Sequence, residues 1–218
     1  MMNPFKLIPI ICIIAFAGCK SISYFDSPNN VSKHGGIINM VDGTQKKGLL
    51  TITLEAAYAV NYITLTNEGV DERILIDSIH SYAVGNDLYL PKQLSVDFDS
   101  PLRLLFVKRL TPDSSRIHLY ELYQNNLQRD TREDLVLYFI SLPSFERLET
   151  WGMGNKNLAP NFNLKMSHIV ADCPELSEKI YNKTKGYFFP QLTLSPVIKK
   201  EVLTKIIDEY NSCATKRK

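Results

Sequence analysis

Apolar and polar residues alternate with a period of two from Gly35 to about Leu142, and this pattern restricts the fold more than any other feature of the chain. Residues 50–54 and 61–65 alternate strictly, and residues 74–76 do so more weakly. Such alternation predicts strands that bury one face. Because no segment of helical period separates these strands, we expect an antiparallel sheet, a roll or a partly closed barrel rather than a parallel α/β fold.

Turn sequences separate the predicted strands. Asp42 and Gly43, and then residues 85–87 (Gly-Asn-Asp), supply residues that tolerate the positive φ of hairpin turns. Residues 111–115 (Thr-Pro-Asp-Ser-Ser) predict a third turn between two apolar runs. Leu135 to Leu142 is the last well-defined strand of the series.

The pattern changes to a helical period in the last quarter of the chain. Asp172, with Glu175 three residues later, has the sequence of a helix start, and Ser195 followed by Pro196 is a second one. The second helix carries an apolar stripe of Ile198, Val202, Ile206 and Tyr210.

Strands first and helices last predict an α+β fold with a C-terminal helix pair against one face or end of the sheet. We assign residues 35–163 to a β-rich region, in which residues 151–163 are irregular. Residues 164–215 form a helical region of the same domain.

The first residues have the layout of an export signal. Lys6 precedes an uncharged, largely apolar run of eleven residues, 7–17. This run is too short to span a bilayer, which takes about 20 residues. Residues 16–19 (Phe-Ala-Gly-Cys) resemble a bacterial lipobox, in which small residues precede a cysteine that is diacylated and becomes the new N-terminus. Phe16 stands where leucine is usual.

The resemblance implies a lipoprotein signal peptide over residues 1–18, with lipidation at Cys19. General secretion, with Cys19 as an ordinary residue, is the alternative. Two or three acyl chains give stable anchoring without a spanning helix, so we expect attachment to the membrane through lipid alone. Residues 19–34 then comprise the lipidated cysteine and a flexible tether rich in Ser and Asn.

Two features of the tether bear on location. Lys20 directly after the lipidated cysteine is compatible with passage to the outer membrane. Residues 20–23 (Lys-Ser-Ile-Ser) lack the acidic run that often marks surface display in the Bacteroidetes. We therefore expect a cell-envelope protein on the outer membrane that faces the periplasm.

The charge balance excludes one class of partner. The chain has 218 residues and 25 Lys+Arg against 23 Asp+Glu, a net charge of +2. A dedicated nucleic-acid binder usually has a strongly basic face, so we expect no nucleic-acid partner. The sequence has no phosphate-cradling glycine loop and no dinucleotide fingerprint, so we expect no cofactor.

Two cysteines remain after the signal peptide and Cys19 are set aside. Cys173 and Cys213 lie at the start of the first predicted helix and the end of the second. In an oxidising compartment they predict a disulfide that closes a loop of 41 residues (213 − 173 + 1). Two separate buried thiols are the first alternative. A redox or metal role is the second, although no further metal ligands lie at suitable spacing.

Few other residues indicate a catalytic or binding role. Asp97 and Asp99 alternate about Phe98, and Glu121 lies in a predicted strand, so these carboxylates are candidates for acid–base work on a sheet face. A solvated strand face is the favoured explanation of them. The four histidines are scattered, and we interpret those in strands, His80 and His118, as structural.

Residues 151–154 (Trp-Gly-Met-Gly) are the one candidate ligand-binding segment. Trp151 and Met153 suit adaptable apolar contacts at the lip of a site. The competing interpretation is that this segment plugs the end of the sheet. We predict no metal site and no catalytic residue with a recognisable motif.

Four short segments resemble uncharacterised envelope proteins of the Bacteroidetes. They are Leu105–Leu110 (LFVKRL), His118–Glu121 (HLYE), Asp172–Leu176 (DCPEL) and Tyr210–Cys213 (YNSC). The resemblance covers most of the mature chain. It implies a fold and a compartment but no catalytic residue, and it adds some support to the pairing of the two cysteines.

Three functions are compatible with these features. The first is a non-enzymatic, lipid-anchored protein whose β-rich domain binds another envelope component, with an envelope protein as the expected partner. The second is an envelope hydrolase that uses sheet-face carboxylates, which requires two carboxyls about 5–10 Å apart in a concave site. The third is a carrier of a small apolar ligand, which requires a cavity of about 300 Å³ or more lined by strand side chains.

Overall fold

A computed structural model describes residues 32–52, 62–94, 103–124, 135–141, 148–150, 161–190 and 195–213. The strands are β1 His34–Met40, β2 Gln45–Thr51, β3 Tyr62–Asn67, β4 Val70–Leu75, β5 Ile79–Val84, β6 Asp87–Leu94, β7 Arg103–Arg109, β8 His118–Gln124, β9 Leu135–Ser141 and β10 Glu149–Thr150. The helices are α1 Phe162–Ile169, α2 Pro174–Tyr181 and α3 Pro196–Ser212. A short 3₁₀ turn, Ile76–Ser78, joins β4 to β5.

The strands form one antiparallel sheet in the order β10-β9-β8-β7-β6-β5-β1-β2-β3-β4. Two meanders, β1 to β4 and β5 to β10, are joined where β1 pairs with β5. The predicted α+β class and the antiparallel sheet are confirmed. The partly closed barrel, one of the predicted forms, is wrong, because the sheet is open with β4 and β10 at its edges. The predicted helix pair is a set of three helices among the described residues.

The predicted turns lie between paired strands. Gly43 has a φ of 87° in the turn between β1 and β2, and Gly85 has a φ of 60° between β5 and β6. The Asp42 carboxylate accepts hydrogen bonds from the backbone N–H and the hydroxyl of Thr44, at 2.8 and 2.6 Å. Residues 111–115 connect β7 to β8, as predicted. Local residue chemistry therefore sets these hairpins.

Two hydrophobic clusters occupy different parts of the sheet face that α3 contacts. Strands β1 to β7 contribute the first, in which the Tyr82 and Tyr89 rings stack at 4.7 Å and Phe106 meets Tyr82 edge-on at 4.9 Å. The second joins the helices to β8 and β9, and we call it the helix cluster. Its fully buried members include Met166, Leu176, Ile180, Ile206 and Ile207.

A third cluster lies on the opposite face of β6 to β9. Its buried members are Leu94, Leu105, Val107, Tyr120, Leu122, Phe139 and Leu148. Strands β7 to β9 thus bury both faces, which explains why residues 105–107 and 138–140 are all buried.

The α3 helix begins as its sequence predicts. The Ser195 hydroxyl accepts a hydrogen bond from the Ile198 N–H at 3.4 Å, and Pro196 occupies the first helical position. Val202, Ile206 and Tyr210 of the predicted stripe are buried, but the inclusion of Ile198 is wrong, because its side chain is 44% exposed. The stripe therefore begins one turn later than predicted.

The α2 helix begins differently from the prediction. Cys173, not Asp172, is its N-cap residue, and no side chain caps it. Asp172 instead accepts hydrogen bonds from Arg116 and Tyr210. None of the described helices is long and apolar enough to cross a bilayer.

Candidate functional site

The pairing of β7 with β8 places polar side chains on both sides of the sheet. Lys108 lies opposite Glu121, and Arg109 lies opposite Tyr120. Since successive side chains of a strand point to opposite faces, Lys108 and Glu121 share one face, and Arg109 and Tyr120 share the other. We call the first the helix face, because α3 contacts it, and the second the outer face.

Glu121, the predicted sheet-face carboxylate, is ion-paired on the helix face. Its side chain is 12% exposed, and its Oε2 lies 3.2 Å from the Lys200 Nζ of α3. Burial raises the pKa of the neighbouring Tyr138 hydroxyl well above its usual value, and the charge of Glu121 and its hydrogen bond raise it further. The carboxylate therefore fastens α3 to β8 and engages β9.

A second ion pair continues this row toward β6. The Lys108 Nζ lies 3.0 Å from the Asp87 Oδ2, and both side chains are at most a quarter exposed. Asp87 and Glu121 lie on strands that flank β7. Lys108 is opposite both Tyr89 and Glu121, so Asp87 is offset from Glu121 by two residues along the strands. Strand spacing and this offset together separate the two backbones by roughly 12 Å, which is larger than the separation of about 5–10 Å that a pair of hydrolytic carboxyls needs. Each carboxylate also has a lysine as its partner, so the row balances its own charge.

On the outer face, a polar cluster surrounds Tyr120. The Lys92 Nζ lies 5.7 Å from the centre of the Tyr120 ring, and the His118 ring centre lies 6.2 Å from it. Arg109, opposite Tyr120, donates a hydrogen bond to Asp113 at 2.6 Å. We call Lys92, Arg109, Asp113, His118 and Tyr120 the Tyr120 cluster.

The electrostatics show that these five groups act on one another. Burial lowers the pKa of His118 below its usual value, and the positive charges of Arg109 and Lys92 lower it further. Burial raises the pKa of Tyr120, while Arg109 opposes that change and Asp113 adds to it. His118 is therefore held mainly neutral near pH 7, beside two permanent cations.

The Tyr120 cluster has hydrogen-bond donors without acceptors. Tyr120 is only 3% exposed, yet its hydroxyl makes no hydrogen bond within the described ranges. Lys92 is half-buried, and among the residues that the structure describes it has no carboxylate partner. A buried hydroxyl without a partner costs about 1–3 kcal/mol. The cluster thus has unused capacity to bind a polar group.

The two C-terminal cysteines form a disulfide, as predicted. It links the N-cap residue of α2, Cys173, to the C-cap residue of α3, Cys213. Beside it, Arg116 donates to the Tyr210 hydroxyl at 2.7 Å and also to Asp172, and the Tyr210 hydroxyl donates to Asp172 at 2.9 Å. The guanidinium lies 3.7 Å from the centre of the Tyr210 ring. We call Arg116, Asp172 and Tyr210 the helix clamp.

The remaining predicted site residues lie outside the described residues. These are Cys19, Asp97, Asp99, Trp151 and Met153. Their predicted roles stay predictions.

Neither lysine of the helix face was predicted from the sequence, and of the Tyr120 cluster only a structural role for His118 was predicted. One signal was available for part of this arrangement. The predicted turn, residues 111–115, indicated that the strands on either side of it pair, but its centre at residue 113 does not give the observed register, which places residue 108 opposite 121. The contacts of Lys200 and Lys92 had no such local signal.

Two depressions bear on the idea of an apolar carrier. One, of about 390 Å³, lies along β2 to β4 and is lined mainly by polar and charged residues, among them Gln45, Lys46 and Glu72. The other, of about 770 Å³, runs along the exposed side of α3 between charged residues such as Glu201 and Lys205. Neither has the apolar strand lining that such a carrier requires.

Comparisons of the chain with models of protein families, with curated proteins and with solved structures find no match.

Proposed function

We propose that this chain is a lipid-anchored cell-envelope protein whose β-rich domain binds another envelope component and catalyses no reaction. The observation that carries the binding role is the Tyr120 cluster, which presents a buried hydroxyl and an ammonium without acceptors among the described residues. Binding sites commonly combine a few convergent polar groups with an apolar or aromatic base.

Two observations support the location. The lipobox-like residues 16–19 end at Cys19, where acylation supplies the anchor. The disulfide Cys173–Cys213 suits an oxidising compartment such as the bacterial periplasm. Together they support export and acylation, and residues 20–23, with Lys20 and no acidic run, support the periplasmic side of the outer membrane.

The hydrolase alternative has less support. Asp87 and Glu121 lie on the same face, but each carboxylate is bound by a lysine ammonium. Lys200 also belongs to α3, so freeing Glu121 would loosen the contact of that helix with β8. These contacts favour a structural role for the row.

The anchor is tested by acylation of the full chain in a bacterial envelope. We expect intact mass and labelled palmitate to show acyl chains on a protein that begins at Cys19, and Cys19→Ala to remove the label. Cys12→Ala is the matched control, because it changes a cysteine within the predicted signal peptide and should leave acylation intact. A label that persists in Cys19→Ala, or a mature chain that begins elsewhere, would contradict the proposal.

The location is tested on the same strains. We expect the acylated protein to fractionate with the outer membrane and to resist protease added to intact cells. Digestion in intact cells would place the domain on the cell surface, and recovery with the inner membrane would contradict the outer-membrane assignment.

A further inference from the structure

We infer that the Tyr120 cluster is a binding site for an anionic oxygen group, a phosphate or phosphate ester. The inference rests on the proposed binding role and names the chemistry of its ligand. Lys92, Arg109, His118 and Tyr120 project from three adjacent strands, β6 to β8, on the outer face.

The charge balance of the cluster favours an anion. Lys92 and Arg109 carry two positive charges, and Asp113 carries the one negative charge that the described cluster contains. Arg109 uses Asp113 as its partner, whereas the ammonium of Lys92 faces only the Tyr120 ring among the described residues. One positive charge is therefore available to a ligand.

The unused hydrogen-bond donors of the Tyr120 cluster also indicate a ligand with oxygen acceptors. The buried Tyr120 hydroxyl has an unused donor, and the Lys92 ammonium has three. A phosphate oxygen accepts several such bonds at once, and charge-assisted bonds are the strong ones. A neutral or cationic ligand would leave Lys92 without a partner.

Asp113 has the position of an internal counter-ion. It lies in the turn between β7 and β8, its side chain is 87% exposed, and it bonds Arg109, whose side chain is only 18% exposed. An incoming anion can displace an exposed carboxylate at low cost, because exposed ion pairs are weak. Displacement would release the planar guanidinium, which binds phosphate through two parallel hydrogen bonds.

The ligand chemistry has two possible sources, free phosphate and an anionic lipid headgroup. We would place the mature acylated protein in micelles of a maltoside detergent, which contains no phosphate, and titrate inorganic phosphate by isothermal titration calorimetry. We expect one saturable site. We would repeat the titration in nanodiscs that contain phosphatidylglycerol. If the site binds the lipid headgroup, the headgroup will compete with phosphate and weaken its binding. If the site binds only free phosphate, the affinity for phosphate will not change. Either result supports the inference and identifies the source.

Three variants in the maltoside micelles separate binding from folding. Lys92→Gln should weaken phosphate binding by about 10- to 100-fold, and Tyr120→Phe, which removes only the hydroxyl, by about 3- to 10-fold. Asp113→Asn should strengthen binding by roughly 2- to 5-fold, because it removes the competing carboxylate. A damaged fold cannot produce this gain.

Lys47→Gln and Asp77→Asn are matched controls, since both residues are exposed and lie away from the cluster. Absence of saturable binding up to about 10 mM phosphate, near the weak end of specific affinity, would overturn the inference. Equal affinities in Lys92→Gln and Lys47→Gln would also overturn it. Mass spectrometry would identify an unacylated chain, and that result would refute the lipid anchor. The phosphate titration does not need the anchor and can be run on the unacylated chain, so failure of the anchor and failure of the phosphate site are distinguishable.

Discussion

Removing the disulfide tests how the C-terminal helices are held. The bond between Cys173 and Cys213 closes a 41-residue loop that contains α2 and α3 (213 − 173 + 1). In the chain-entropy model, a closed loop of this length restricts the unfolded chain by about 13 cal/mol/K, or about 4 kcal/mol at 25 °C. The double variant Cys173→Ala/Cys213→Ala should lose this much stability.

The native state should change little in that variant. The helix clamp joins the residue before Cys173 to a residue three positions before Cys213, through the hydrogen bonds of Asp172 and Tyr210. Arg116 in turn ties both to the turn before β8. The ends of the loop therefore stay together without the bond, and the loss should come from the unfolded state.

Urea denaturation of the mature protein measures the effect. We expect the free energy of unfolding to fall by about 3–4 kcal/mol and the m-value to rise, because a chain without the cross-link unfolds to a more exposed ensemble. Near-ultraviolet circular dichroism of the folded variant should match the wild type. A loss below about 1 kcal/mol with an unchanged m-value would refute the loop-entropy account. A changed folded spectrum would refute the role that we assign to the helix clamp.

Three further predictions concern single positions. Burial tends to raise the pKa of Asp172, but the hydrogen bonds from the helix clamp outweigh it and lower the pKa below its usual value. The ionised Asp172 carboxylate therefore stabilises the fold above about pH 4, and this contribution is lost as the pH falls through its lowered pKa. In Asp172→Asn the free energy of unfolding, measured by urea denaturation at a series of acid pH values, should decrease less steeply with falling pH than in the wild type. Gly36→Ala should destabilise the fold by about 1–3 kcal/mol, because its Cβ would lie 2.7 Å from the Ala83 carbonyl oxygen and 2.6 Å from a buried leucine methyl. Gly35→Ala, whose Cβ meets nothing within 4 Å, is the control, and equal losses by thermal denaturation would contradict the packing argument. On α3, Ile206→Ala should cost about 2–5 kcal/mol and the exposed Ile198→Ala below about 0.5 kcal/mol in chemical denaturation, and the reverse order would contradict the assigned helix face.

Part of the fold was predictable because its causes are local. Asp42, Gly43 and Gly85 favour turns whatever surrounds them, and Ser195 with Pro196 begins a helix through its own backbone contacts. The α1 helix was not predicted: residues 151–163 were expected to be irregular, and the first helix was expected only at Asp172. Its N-cap residue, Asn161, has a left-handed backbone conformation, and no side chain caps the helix. The formation of α1 therefore depends on packing in the helix cluster.

The candidate site was less predictable than the fold. Glu121 was identified as a sheet-face carboxylate, but its partner Lys200 lies 79 residues later on another element. Asp172 followed the local rule for a helix cap, yet Arg116, 56 residues earlier in the chain, takes its carboxylate. Long-range partners of this kind override a local preference worth about 1 kcal/mol.

The sequence by itself determined where strands, hairpin turns and the last helix occur, because alternation, positive-φ residues and capping act between near neighbours. It also predicted the disulfide between Cys173 and Cys213, which the structure contains. Only the tertiary structure decided that β1 pairs with β5, that the sheet stays open, and that Lys92 meets Tyr120 on the outer face. These contacts join segments far apart in the chain, and their energies depend on register, burial and partners that no short window of residues contains.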